Sequence, residues 1–163
     1  MPVAAAGFLS LPLHYLRKSV AASSTFQTLT GAISAATAEA FVHIGAAKDD
    51  GTQDPPRITL RYFDSMPMLQ NALNRWQLRG QAELTFEMLV DSDLNGDPED
   101  EYLDLTNKFG AILKEITALA NTGGYLTIQS AEISQIGWIP QENNSGNLWL
   151  QGSASVGFVS EVQ

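Results

Sequence analysis

Residues Leu148–Phe158 (LWLQGSASVGF) hold one alternation from end to end, with Leu148, Leu150, Ala154, Val156 and Phe158 on one side and Trp149, Gln151, Ser153 and Ser155 on the other. Only an extended strand sends every second side chain to the same face, so the chain must build a sheet with one apolar and one polar side. Ala82–Val90 repeats the pattern, with Leu84, Phe86 and Met88 facing in and Glu83, Thr85 and Glu87 facing out. An apolar sheet face needs a cover. One is available in Leu105, Phe109, Ile112, Leu113, Ile116, Leu119 and Ala120, a helical stripe that stops at Asn121-Thr122-Gly123-Gly124.

The remaining elements follow from local signals. Ser10-Leu11-Pro12 reads as a helix start, with Leu13, Leu16 and Val20 as the buried face of a helix over residues 11–22, broken at Ser23-Ser24. A short helical piece at Thr25–Gly31 buries Phe26 and Leu29 and ends on its glycine. Phe41–Ile44 reads as a short strand, Lys48–Pro56 as a loop, and Arg57–Asp64 as a strand with Ile58, Leu60 and Tyr62 on one face. Ser65–Arg79 fits either a short helix or a long hairpin arm. In Tyr125–Ile139 the apolar phase switches twice, from Leu126 and Ile128 to Ala131 and Ile133 and back to Ile136 and Trp138, which predicts a bulge or strong coiling near Ser130. A turn at Gln141–Gly146 joins this strand to the last one. The order predicts one α+β domain over residues 1–163, an antiparallel or mixed sheet of about four to five strands with two main helices packed on one face.

Composition bounds the function. The chain has 163 residues, is 44% hydrophobic and carries no cysteine, so it can form a core and has no disulfide, thiolate metal site or thiol nucleophile. The 20 uncharged residues 19–38 include eight Ser or Thr, which argues against a membrane span. The apolar N-terminus precedes Arg17 and Lys18, the reverse of a secretory signal, and reads as mature sequence. The net charge of −9 argues against a protein that grips nucleic acid by its phosphates. Its distribution says more: residues 1–90 hold seven acids and seven bases, whereas residues 91–163 hold eleven acids and two bases, Lys108 and Lys114. Seven of those acids fall between Asp91 and Asp104, a block typical of a solvated loop or an interaction surface.

Candidate chemistry is sparse. Asp91-Ser-Asp93-Leu-Asn95-Gly96-Asp97 follows the opening of a calcium loop, but Tyr102 stands where a bidentate Glu is needed and a strand precedes the loop. A solvated loop with Asp97 or Glu99 capping the next helix is the expectation, with no metal. His14 and His43 are too few for a histidine metal centre and read as an amphipathic-helix residue and a half-buried strand residue. No GxSxG, GxGxxG or GxxxxGK[ST] occurs, and Glu83 and Glu87 stand too far apart on a strand for a glycosidase pair. Neither catalytic residues nor a cofactor are expected. Trp149, on the polar strand face, is a candidate for either a partner contact or a rim contact with one of the chain's own loops.

Leu16–Ala32 (LRKSVAASSTFQTLTGA), Ala38–Ile44, Gly80–Leu89 (GQAELTFEML), Asn107–Ile116 (NKFGAILKEI) and the closing strand pair together resemble the phage tail terminator or tail-completion-like proteins of the head–tail connection. The resemblance lies in element order and pattern over most of the chain; Ser65–Arg79 departs from it, being longer and more apolar. It implies a structural virion protein, assembled in the host cytoplasm. As a ring, commonly a hexamer, it caps the tail tube and meets a head-side connector or stopper while DNA passes without specific binding, and no membrane is involved. On that reading Asp91, Asp93, Asp97, Glu99, Asp100 and Glu101 are candidates to line the lumen, where like charge keeps DNA mobile. Met66, Met68, Leu69, Leu73, Trp76 and Trp149 are candidate intersubunit residues. Two alternatives remain: another neck or baseplate component, and a small metal-binding α+β domain that uses the 91–104 loop.

Overall fold

The computed structural model describes residues 7, 9–46, 56–63, 68–72, 75–90, 98–122, 126–139 and 148–161. In chain order these form α1 (Leu11–Ala22), α2 (Ser24–Thr30), α3 (Ala35–Ala38), a 3-10 turn (Glu39–Phe41), β1 (Val42–Ile44), β2 (Arg57–Tyr62), β3 (Met68–Ala72), β4 (Arg75–Val90), α4 (Pro98–Thr122), β5 (Leu126–Ile139) and β6 (Leu148–Glu161). The fold is α+β. Six strands make one mixed sheet in the order β1-β2-β4-β6-β5, with β3 continuing along the β2 side of β4. The sheet exceeds the expected four to five strands because Ser65–Arg79 supplies β3 and the start of β4: of its two readings, the hairpin arm is the one adopted. All pairings are antiparallel except β1 with β2, which run parallel through Val42↔Ile58 and Ile44↔Leu60.

Register explains the one-sided core. Ile58↔Phe86↔Gly152, Leu60↔Leu84↔Ala154 and Tyr62↔Ala82↔Val156 are successive rungs across β2, β4 and β6. Ile58, Leu60, Ala82, Leu84, Phe86, Ala154 and Val156 are all buried, whereas the intervening Thr59, Glu83, Thr85, Ser153 and Ser155 remain half-open. The two predicted phase switches in β5 are two register shifts against β6, at Ile128/Ser130 and Ile133/Gln135. They bring Leu126, Ile128, Ala131, Ile133, Ile136 and Trp138 all into register with inward positions of β6. Ile133 nonetheless stays 42% exposed, because β5 is a sheet edge.

Helices α1 and α4 cover the apolar face, α1 against β1 and β2 and α4 against β5 and β6. Of the predicted α4 stripe, Leu105, Phe109, Ile112, Leu113, Ile116 and Ala120 are buried, while Leu119 is left 37% exposed at its margin. Each fully buried Leu, Ile or Phe contributes about 1.5–3 kcal/mol of transfer free energy. Phe109 makes a close contact beneath α4, its ring stacked on Phe86 with centroids 5.2 Å apart and planes 15° apart. It can descend that far because residue 152 has no side chain: a Cβ there would lie 3.0 Å from Phe109 Cε1.

The helical N-terminal layer is held by one carboxylate. Ser23 ends α1 and caps α2, its Oγ accepting from Phe26 N at 3.1 Å and donating to Glu115 Oε2 of α4 at 2.7 Å. Thr25 Oγ1 donates to Glu115 Oε1 at 2.6 Å, and Thr25 N and Ser24 Oγ donate as well. Burial alone would raise the pKa of this carboxyl; the hydrogen bonds from Thr25, Ser23 and Ser24 outweigh it and hold the group below the usual Glu value. At the other end, Gly31 closes α2 in the left-handed conformation at φ 67°. Ser10 does not cap α1 as expected. Its hydroxyl donates instead to Gly7 O at 2.9 Å, and the helix starts on Leu11-Pro12 without a side-chain cap.

Two outcomes follow. Gly152→Val forces the Phe109 ring off Phe86 and lowers stability by about 1–3 kcal/mol, read by urea denaturation. Glu115→Gln costs about 1 kcal/mol at neutral pH. Because the folded pKa is depressed, the carboxylate's contribution is complete above the unfolded carboxylate range and lost as pH falls through the folded value. The gap between wild type and Glu115→Gln therefore closes on acidification below about pH 4 in pH-dependent melts.

Candidate functional site

Among the described residues β6 pairs with β4 as far as Gln77↔Glu161, and the β3–β4 hairpin adds the two rungs Asn71↔Trp76 and Ala72↔Arg75 at that end of β4. Alternation places Trp76 on the same face as Leu78, Ala82, Leu84 and Phe86. The inward apolar row thus runs on past the helices that cover it. Leu78 is fully buried at the root of the arm, whereas Trp76 is 51% exposed and Leu69, the cross-strand partner of Leu78, 43% exposed. Met68, on the opposite face of the hairpin, is 66% exposed. Of the predicted intersubunit residues, the structure gathers Met68, Leu69 and Trp76 on one arm, and Met66 and Leu73 lie outside the described residues. Trp149 belongs to β6, its backbone paired with Leu89 and Ile139. That rung is at the far end of β4 from the arm, so Trp149 is not part of the same surface.

The described part of the acidic block, from Glu99 to Asp104 in α4, also sits at that far end. Asp91, Asp93 and Asp97, with the candidate calcium loop, lie outside the described residues. Glu99 and Asp100 are exposed in the first turn of α4, which also contains Glu101. Glu99 is inside the helix and so cannot be its N-cap; carboxylates here favour the positive end of the helix dipole. Helix α4 starts beside Leu150 and Met88, against which Leu105 packs, and ends where Asn121 Oδ1 accepts from Ile128 N at 2.9 Å. The acidic turn and the arm are therefore at opposite ends of β4, whose 16 residues span on the order of 50 Å.

Between them lies the outer sheet face, polar and without a helix against it. Arg57 Nε donates to Glu87 Oε2, and Arg61 Nε to Glu83 Oε2, each pair on its own cross-strand rung. The two glutamates are thus each matched by an arginine and form no acid pair. Among the described residues no three His, Asp, Glu or Cys side chains gather to hold a metal, and no helix is long and apolar enough to cross a membrane.

One arrangement was not legible in the sequence. His14 from α1 and His43 from β1 both line a cavity of about 380 Å³ that also receives Arg17. Nearly thirty residues separate the histidines, and no spacing rule links them.

Because the arm buries little within the protomer, Leu69→Ala and Trp76→Ala change the unfolding free energy of the isolated protomer by less than about 0.5 kcal/mol in denaturant titrations, whereas Leu78→Ala costs about 2–5 kcal/mol. Comparison with protein-family models yields no matching family, and comparison with curated proteins yields no matching relative.

Proposed function

We propose that this chain is a structural subunit of a tailed-phage virion, a tail-terminator-like protein that forms a hexameric ring at the head–tail junction. In this role it caps the tail tube, joins it to the head-side connector or stopper, and lets DNA pass without specific binding. It performs no catalysis and needs no cofactor. The observation that carries the reading is the hairpin arm, whose apolar face is continuous with the core yet uncovered in the single protomer. Exposed Trp, Leu and Met on one hairpin are the composition of a protein–protein contact centre. A neighbouring protomer that receives Leu69 and Trp76 completes the cover that the chain's own helices leave unfinished, and repetition of such a head-to-tail contact closes a ring.

The charge pattern supports the same role. The acidic first turn of α4 is remote from the arm, so in a ring joined through the arms the exposed Glu99 and Asp100 lie on a surface that faces DNA or an axial partner. Carboxylates there repel the phosphate backbone and keep the genome mobile. An open polar sheet face with paired charges, Arg57 with Glu87 and Arg61 with Glu83, adds no net positive patch that would hold DNA.

Multi-angle light scattering tests the reading. The wild-type protein is expected to elute with the mass of a closed oligomer, and Leu69→Glu with Trp76→Glu to elute as a folded monomer. A monomeric wild type that binds neither tube nor connector protein contradicts it, as does an oligomer indifferent to both substitutions.

A further inference from the structure

The cavity between α1 and β1 is independent of the arm and of the ring reading. His14 and Arg17 are three residues apart on α1 and so share a helix face, and β1, at the sheet edge, contributes His43 to the same cavity lining. These are the chain's only two histidines, joined by one of its nine cationic side chains. Among the described residues the rest of the wall is small or apolar, with Ala40, Val42, Ile44 and Ala46, and none of them carries a carboxylate. Its volume of about 380 Å³ suits a small molecule.

Arg17 is held ready for a ligand. Its Nη2 donates to the Glu39 backbone oxygen at 3.1 Å, which fixes one side of the guanidinium. Its Nε is buried and makes no hydrogen bond, taking part only in a long ion pair with Glu39 Oε2 at 4.0 Å. A guanidinium carries five N–H donors in a planar fork that matches an oxyanion, and an imidazole offers an N–H donor in either protonation state. A cation is disfavoured by Arg17 itself. We propose that this cavity is a binding site for a small oxyanion, a phosphate or carboxylate group gripped by Arg17 and hydrogen-bonded by His14 and His43.

Two probes, inorganic phosphate and acetate, are titrated separately into the full-length protein while the imidazole C–H signals are followed by NMR. With only two histidines in the chain, both resonances are assignable by substituting one. At least one probe is expected to shift both signals saturably, with Kd on the order of 1 mM, and the probe that does so tells phosphate from carboxylate preference. Chloride at matched ionic strength is expected to leave both signals in place. Arg17→Gln should weaken binding about tenfold, and Arg17→Lys, which keeps the charge without the fork, by less. If Arg17→Gln fails to fold, His14→Gln and His43→Gln replace it, each expected to weaken binding several-fold. Wild-type signals that move with neither probe, or that move equally with chloride, overturn the proposal. So does undiminished binding by folded Arg17→Gln, or by both histidine variants where that protein does not fold.

Discussion

Everything in this protein depends on covering one face of a twisted sheet. The sheet is apolar on one side and polar on the other, and burying the first side against α1 and α4 supplies most of the favourable free energy that offsets chain entropy. A close part of that cover is a fit of aromatic to glycine. Phe109 reaches Gly152 and stacks on Phe86 because the middle rung of the sheet presents no side chain at that point. The same requirement accounts for the Glu115 cluster, which ties the turn between α1 and α2 to α4 and fixes how the helices sit relative to one another.

Where the cover ends, exposed apolar surface begins. The helix layer stops at Leu78, yet the inward row of β4 continues to Trp76 and crosses to Leu69 on β3. An apolar row that outruns its helices is a small cost for a lone protomer and a ready contact for a neighbour. At the other end of β4 the chain places carboxylates in the first turn of α4, where the helix dipole welcomes them. The two ends therefore differ in chemistry, one apolar and one acidic, which is the polarity a subunit needs if it is to meet its own copies at one end and a charged or axial partner at the other.

Much of this was legible in the residues. The unbroken phase of Leu148–Phe158 and the stripe from Leu105 to Ala120 identified a strand and its covering helix, since period alone distinguishes them. The double phase switch of Tyr125–Ile139 pointed to the irregularity near Ser130, and a second register shift lies at Ile133/Gln135, because a register shift is the way a strand keeps its apolar residues on one side after an extra residue. Other features were hidden for physical reasons. The parallel pairing of β1 with β2 depends on a crossover that no local pattern encodes. Ser65–Arg79 satisfied a helical stripe and a hairpin equally, and pairing with the root of β4 decided in favour of the hairpin. Ser10 had the composition of a cap but turned its hydroxyl back to Gly7. The convergence of His14, Arg17 and His43 is a product of tertiary packing between α1 and the edge strand.

The central claim is that the uncovered arm completes its burial in the next protomer. Electron microscopy of the purified protein under near-physiological salt tests it most directly. The account predicts closed rings with an open central channel in which each β3–β4 hairpin lies against a neighbouring subunit. Separate single protomers, or rings in which the hairpins project freely into solvent, would contradict it.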